Sequence, residues 1–63
     1  MNENYYITAQ EIASITGRKE GYGYKVIREL NKELEEKGYR IVGGRTPRQY
    51  FNERYGIGDD RHE

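Results

Sequence analysis

The chain has no cysteine, no tryptophan, one histidine and one proline. Without thiols no disulfide can staple the fold, and a single imidazole cannot furnish the ligand set of a structural zinc site. A chain of 63 residues buries only about 60% of the surface its unfolded form exposes. Its stability must therefore come from well-capped helices, aromatic packing or a partner. Serine occurs once, at Ser14 in an apolar helical stretch, and the histidine is His62 in a polar C-terminal run. No nucleophile–base pair can be assembled from these, so the composition argues against an enzyme. Glu33, Glu35 and Glu36 read as the solvated face of a helix. Gly21-Tyr22-Gly23 is too short to be a phosphate loop. Asp59, Asp60 and His62 cluster on a tail that is a poor scaffold for a metal. No cofactor and no metal are expected. No apolar run approaches the ~20 residues of a membrane span and no signal-peptide pattern opens the chain, so the expected location is cytoplasmic, with no membrane partner.

What is present is seven tyrosines, eight glycines and 35% charged residues. Thr8-Ala9-Gln10-Glu11 is a capping box, with Ile7 and Ile12 placed as a hydrophobic staple. The first helix should run from there to Thr16 and close at Gly17, turning Ile12, Ala13 and Ile15 toward a core. The second helix, Tyr22 to Lys37 and closed by Gly38, carries Gly23, Val26, Ile27, Leu30 and Leu34 on one stripe. Gly23 on that stripe would let the backbones of the two helices approach closely. Lys25, Arg28 and Lys32 form the opposite, solvent-facing stripe. Tyr39 to Val42, Gly43-Gly44 and Arg45-Thr46 then read as a short β-hairpin. Thr46-Pro47-Arg48-Gln49 looks like a second capping box with proline at the first helical position. The third helix would follow to about Tyr55, anchored by Tyr50, Phe51 and Tyr55. Tyr24, Tyr39, Tyr50 and Phe51 are expected in the core. The expected domain is a single one over residues 1–63, ordered from about 5 to 57, with a polar tail at 58–63.

Eleven bases balance eleven acids, which argues against a uniformly basic nucleic-acid binder. The balance is a cancellation between segments. Residues 18–32 carry five bases and two acids, and residues 38–55 carry four arginines and one glutamate, a net of +3 each. Residues 1–17, 33–37 and 56–63 each carry −2. The basic segments are the front of the long helix and the hairpin with its following helix. In a winged helix-turn-helix those are the parts offered to the major groove and to the flanking backbone. The candidate DNA-binding residues are Lys19, Gly21, Tyr22, Lys25, Arg28, Lys32, Arg45 and Arg48. Arg28 suits a bidentate bond to a guanine edge, and the others suit phosphates or close backbone approach. The competing reading is a solvated face, with Lys32/Glu36 and Glu33/Lys37 as ordinary helix pairs.

Glu11 to Gly17, Tyr24 to Asn31, Leu34 to Tyr39 and Gly44 to Tyr55 together resemble small winged helix-turn-helix proteins of Gram-positive mobile elements. These are similar to excisionases and to the DNA-binding domains of MerR-type regulators. The resemblance spans residues 7 to 55. It departs at Arg18, where an apolar residue is usual, at Lys19, where Ser or Thr usually caps, and at Gly23, where Ala is commoner. These departures leave the start of the second helix open.

The resemblance implies a mainly α fold of three helices with a two-stranded wing. It implies sequence-specific binding of double-stranded DNA as an excisionase (a recombination directionality factor) or as a transcriptional regulator, in a bacterial host and associated with the nucleoid. A recombinase or integrase and further copies of the chain on DNA are the implied partners. The other function class open to this sequence is a phage- or plasmid-encoded protein-binding inhibitor or adaptor, for which the Glu33, Glu35 and Glu36 cluster and the many tyrosines would serve.

Overall fold

The computed structural model describes residues 5–56, so Asp59, Asp60, His62 and the polar tail lie outside the described residues. The chain forms β1 (Tyr6–Thr8), α1 (Ala9–Thr16), α2 (Glu20–Glu36), β2 (Arg45–Pro47) and α3 (Arg48–Tyr55). Three helices and a two-stranded antiparallel sheet make a small winged helix fold. A three-residue turn, Gly17-Arg18-Lys19, joins α1 to α2, as a helix-turn-helix requires.

The caps explain where α1 lies. The Glu11 amide donates to Thr8 Oγ1 at 3.2 Å, and the Thr8 amide donates to Glu11 Oε1 at 3.1 Å. Both halves of the capping box are therefore made. Gly17 turns left-handed at φ 73° and the Arg18 amide donates to the Ala13 carbonyl at 3.0 Å, a Schellman closure. Helix α2 ends in the same way. The Gly38 amide bonds the Glu35 carbonyl and the Tyr39 amide bonds the Leu34 carbonyl, each at 3.0 Å. The start of α2 settles at Glu20, with Lys19 in the cap position and no side-chain capping bond, two residues earlier than Tyr22.

The core is Ile7, Ala9, Ile12, Val26, Ile27, Leu30 and Phe51, with Tyr22 and Tyr50 packed on its edge. The α2 stripe is buried as expected. On α1 the inward residues are Ala9 and Ile12, whereas Ile15 is 46% exposed, because it lies about 60° beyond Ile12 round the helix, on the side away from Ala9. Gly23 does permit the close approach. A Cβ there would stand 2.8 Å from both Cα and the carbonyl carbon of Ala9.

The sheet is assembled differently from the expected hairpin. β2 pairs with β1 in the register Tyr6↔Pro47, Ile7↔Thr46 and Thr8↔Arg45. The segment Tyr39–Val42 contributes only one bridge, Val42↔Arg45, around Gly43-Gly44. Pairing with β1 buries Ile7 and Thr46 completely, whereas Tyr39, Ile41 and Val42 remain exposed. Burial of one face favours the N-terminal partner. Thr46 is consequently a strand residue without a capping bond, Pro47 is the N-cap of α3, and α3 starts at Arg48.

Candidate nucleic-acid interface

The first turns of α2 set out the expected basic face. Gly21, Lys25, Arg28 and Lys32 are separated by four, three and four positions, so they fall on one side of the helix, and all four are exposed. Lys19 is exposed at the helix start. Arg45 lies at the close of the wing turn, exposed, with its guanidinium 5.6 Å from the centre of the Tyr6 ring.

The Gly43-Gly44 turn stands beside this face and has a cleft on each side. One is lined by Ile27, Arg28, Asn31, Lys32, Glu35, Ile41 and the two glycines. The other is lined by Thr8, Ala9, Gln10, Tyr24, the same glycines and Arg45. The two clefts share the glycine turn, and Arg28, Lys32 and Arg45 are their basic lining residues, with Glu35 the one acid.

Two expected site residues are placed apart from that surface. Tyr22 lies one position round the helix from Gly21, half-buried on the core edge. The Arg18 guanidinium lies 4.4 Å from the centre of its ring. Arg48 turns inward. Its guanidinium donates to the Tyr6 carbonyl at 3.0 Å and to both carboxylate oxygens of Glu11, at 3.1 and 3.0 Å. It therefore ties α3 to the start of α1. For Glu11, burial is the largest influence and opposes ionisation. The hydrogen bonds from Arg48 and from the Thr8 amide, with the Arg48 charge, outweigh it and leave the carboxyl below its ordinary value.

Other expectations are corrected on the far side of α2. Glu33 is not simply a solvated acid. It accepts from Tyr50 Oη at 2.7 Å and from Arg54 Nε and Nη2 at 2.8 Å each. The Arg54 hydrogen bonds, then that from Tyr50, pull its pKa from 4.5 to about 2. Lys37 meets Tyr50 instead, with Nζ donating to Oη at 3.4 Å. Tyr24 and Tyr39 are 45% and 62% exposed rather than core, and Phe51 alone among the expected aromatics is fully enclosed.

Two residues gain importance that the sequence pattern does not advertise. Tyr24 is the aromatic of α2 that borders the wing. Asn31 is 4% exposed, and its Nδ2 donates to the Val42 carbonyl at 3.1 Å and the Arg45 carbonyl at 3.0 Å. Within a run of charged residues an asparagine looks solvated. The only signal was its place at the edge of the apolar stripe, four residues after Ile27.

Among the described residues no cluster of His, Asp or Glu could hold a metal ion, and no helix is long and apolar enough to cross a membrane. No family model matches the chain, and no solved structure matches it. Over 50 residues it is 38% identical to the ICEBs1 excisionase of Bacillus subtilis strain 168, an alignment covering 79% of this chain and 78% of that protein. That identity, extending over most of both chains and accompanied by a winged helix whose second helix exposes a stripe of Lys25, Arg28 and Lys32, places the chain in the family of the ICEBs1 excisionase.

Proposed function

We propose that this protein binds double-stranded DNA sequence-specifically and acts as the recombination directionality factor of a mobile element. The observation that carries the reading is the exposed Gly21, Lys25, Arg28 and Lys32 face of α2, flanked by the wing turn and Arg45. The bare glycine at the front lets the helix sit close to the floor of a major groove. Arg28 supplies a fork for a guanine edge, and Lys25 and Lys32 supply point charges for phosphates. Arg45 on the wing adds a phosphate contact beyond the groove. Arg48 is omitted from this set because its guanidinium holds Glu11 and Tyr6.

Such a protein does no chemistry of its own. It binds neighbouring sites and shapes the DNA on which a recombinase assembles. One helix reads few base pairs, so useful affinity calls for several copies side by side. Kinship with an excisionase favours this role over that of a transcriptional regulator. The adaptor reading loses ground because Glu33, one of the three acids it relies on, is engaged by Arg54 and Tyr50.

The test is selection of bound duplexes from a random pool, followed by footprinting and salt titration on the enriched site. A reproducible site, protected as tandem repeats, is expected. Replacing Lys25 and Arg28 with Ala should remove one phosphate contact, that of Lys25, and flatten the slope of log K against log salt by about 0.9. Losing a guanine contact at Arg28 should cost a further roughly 1–3 kcal/mol at that base pair. Random recovery of duplexes, or a double variant that binds as tightly as the wild type, would overturn the proposal.

A further inference from the structure

The wing is poorly fixed by its own backbone. Residues 39–45 are all exposed. The bridge that closes the turn is a single Arg45 amide bond to the Val42 carbonyl at 3.4 Å, long for a backbone bond. The Thr8↔Arg45 pair anchors only the C-terminal end of the turn to β1; Tyr39–Val42 has no ladder to hold its height or tilt above α2.

Asn31 supplies what the ladder lacks. One NH2 group has two hydrogens, and here they go to the Val42 and Arg45 carbonyls, the two ends of the Gly43-Gly44 turn. Asn31 is rooted in α2, three positions after Arg28 and next to Lys32, so the turn is held relative to the residues that border its cleft. This arrangement does not look selected for stability. The side chain is buried, and its Oδ1 finds no hydrogen-bond partner, an unfavourable state for a carbonyl oxygen. An apolar residue would suit that position better, and a small domain has little stability to give away.

We infer that Asn31 is a positioning residue. It locks the wing to the recognition helix so that Arg45 and the Arg28/Lys32 face engage one duplex together. The inference rests on the DNA-binding function proposed above, and it acts through Arg45, which makes it separable from a purely structural role.

The experiment is a double-mutant cycle on the intact chain, using the duplex enriched from the random pool. It compares Asn31→Leu, Arg45→Ala and the double variant, with affinity measured between 50 and 200 mM salt. One phosphate contact at about 0.9 of slope is worth about 3.5-fold over that fourfold range. Arg45→Ala should reduce the salt-dependent loss of affinity by this factor. Asn31→Leu should do the same with Arg45 still present, and the double variant should lose no more than either single one.

Leucine keeps α2 helical and apolar, and the released carbonyls belong to exposed residues that water can reach. Asn31→Met provides a second uncharged variant, which has no hydrogens to donate. Circular dichroism and melting establish that each variant is folded. An Asn31 variant that is folded and keeps the wild-type salt slope overturns the inference. So does a double variant with additive losses of about 12-fold, or an Arg45→Ala protein with unchanged slope. A wild type that selects no duplex overturns the underlying function instead, so the two failures are distinguishable.

Discussion

Gly23 is where the fold has the least slack, and alanine there pits two known effects against each other. Helix propensity favours alanine over glycine by about 1 kcal/mol. Packing opposes it, because the new Cβ would stand 2.8 Å from Cα and the carbonyl carbon of Ala9, and closer still to its oxygen. Carbon atoms pack comfortably at about 3.5–4.0 Å, so α1 and α2 would have to separate by close to an ångström. The obstacle is backbone at the N-terminus of a capped helix, which has no rotamer to move aside. The upper end of the usual overpacking cost, about 3 kcal/mol, is the appropriate figure. The net expectation for Gly23→Ala is a loss of about 2 kcal/mol, or a Tm lower by about 8–16 °C in a domain of this size. Gly21→Ala is the matched control. It lies two residues away in the same helix, where an added Cβ meets nothing within 4 Å, and it should raise Tm by up to about 4–8 °C. Thermal unfolding by circular dichroism reads both. If Gly23→Ala also raises Tm, the two helices do not approach as described and the docking of α2 on α1 must be reconsidered.

Other expectations follow from the caps and ion pairs. Thr8→Ala removes the side-chain acceptor of the α1 capping box and should cost about 1 kcal/mol, while Thr8→Ser should restore most of it; equal melting of all three proteins would refute the capping role. Glu33 titrates near 2 against an ordinary 4.5, so its folded pKa is depressed. Its contribution is complete above pH 4.5 and is lost as pH falls toward 2. Over that window Glu33→Gln should melt with a flatter pH dependence than the wild type; parallel curves would mean that Arg54 and Tyr50 do not hold the carboxylate in solution.

Local chemistry was legible in the sequence wherever one short segment determined the outcome. The Thr8–Glu11 box, the closures at Gly17 and Gly38 and the buried α2 stripe all follow from spacing within a few residues. The small glycine at the helix contact also follows, since only a position on that stripe can face α1. The partner of β2 did not follow, because strand pairing depends on which surface becomes buried after collapse. Ile7 offered a fully buried pairing that Tyr39–Val42 could not match. That exchange moved Thr46 into the sheet and cancelled the second capping box. The basic face was legible because it is local to α2, whereas Arg48, Glu33 and Asn31 find their partners 37, 21 and 14 positions away. Nothing in a neighbouring residue announces such a contact.

Those long-range pairs also change what the zero net charge means. Arg48 is spent on Glu11 and Arg54 on Glu33, at 3.0 and 2.8 Å. Each pair removes one base from the segment 38–55 and one acid from elsewhere, leaving the total unchanged. What survives of that segment's positive charge is Arg40 and Arg45 against Glu53, so little of it remains on α3. Charges in a tight pair cancel at distances beyond their separation, and salt screens the remainder within about 10 Å at 0.1 M. On the function proposed above, an approaching duplex would therefore meet the basic face of α2 and Arg45 on the wing rather than a basic C-terminal half. The paired arginines hold α3 to the rest of the fold, while Lys25, Arg28, Lys32 and Arg45 stay exposed beside the wing.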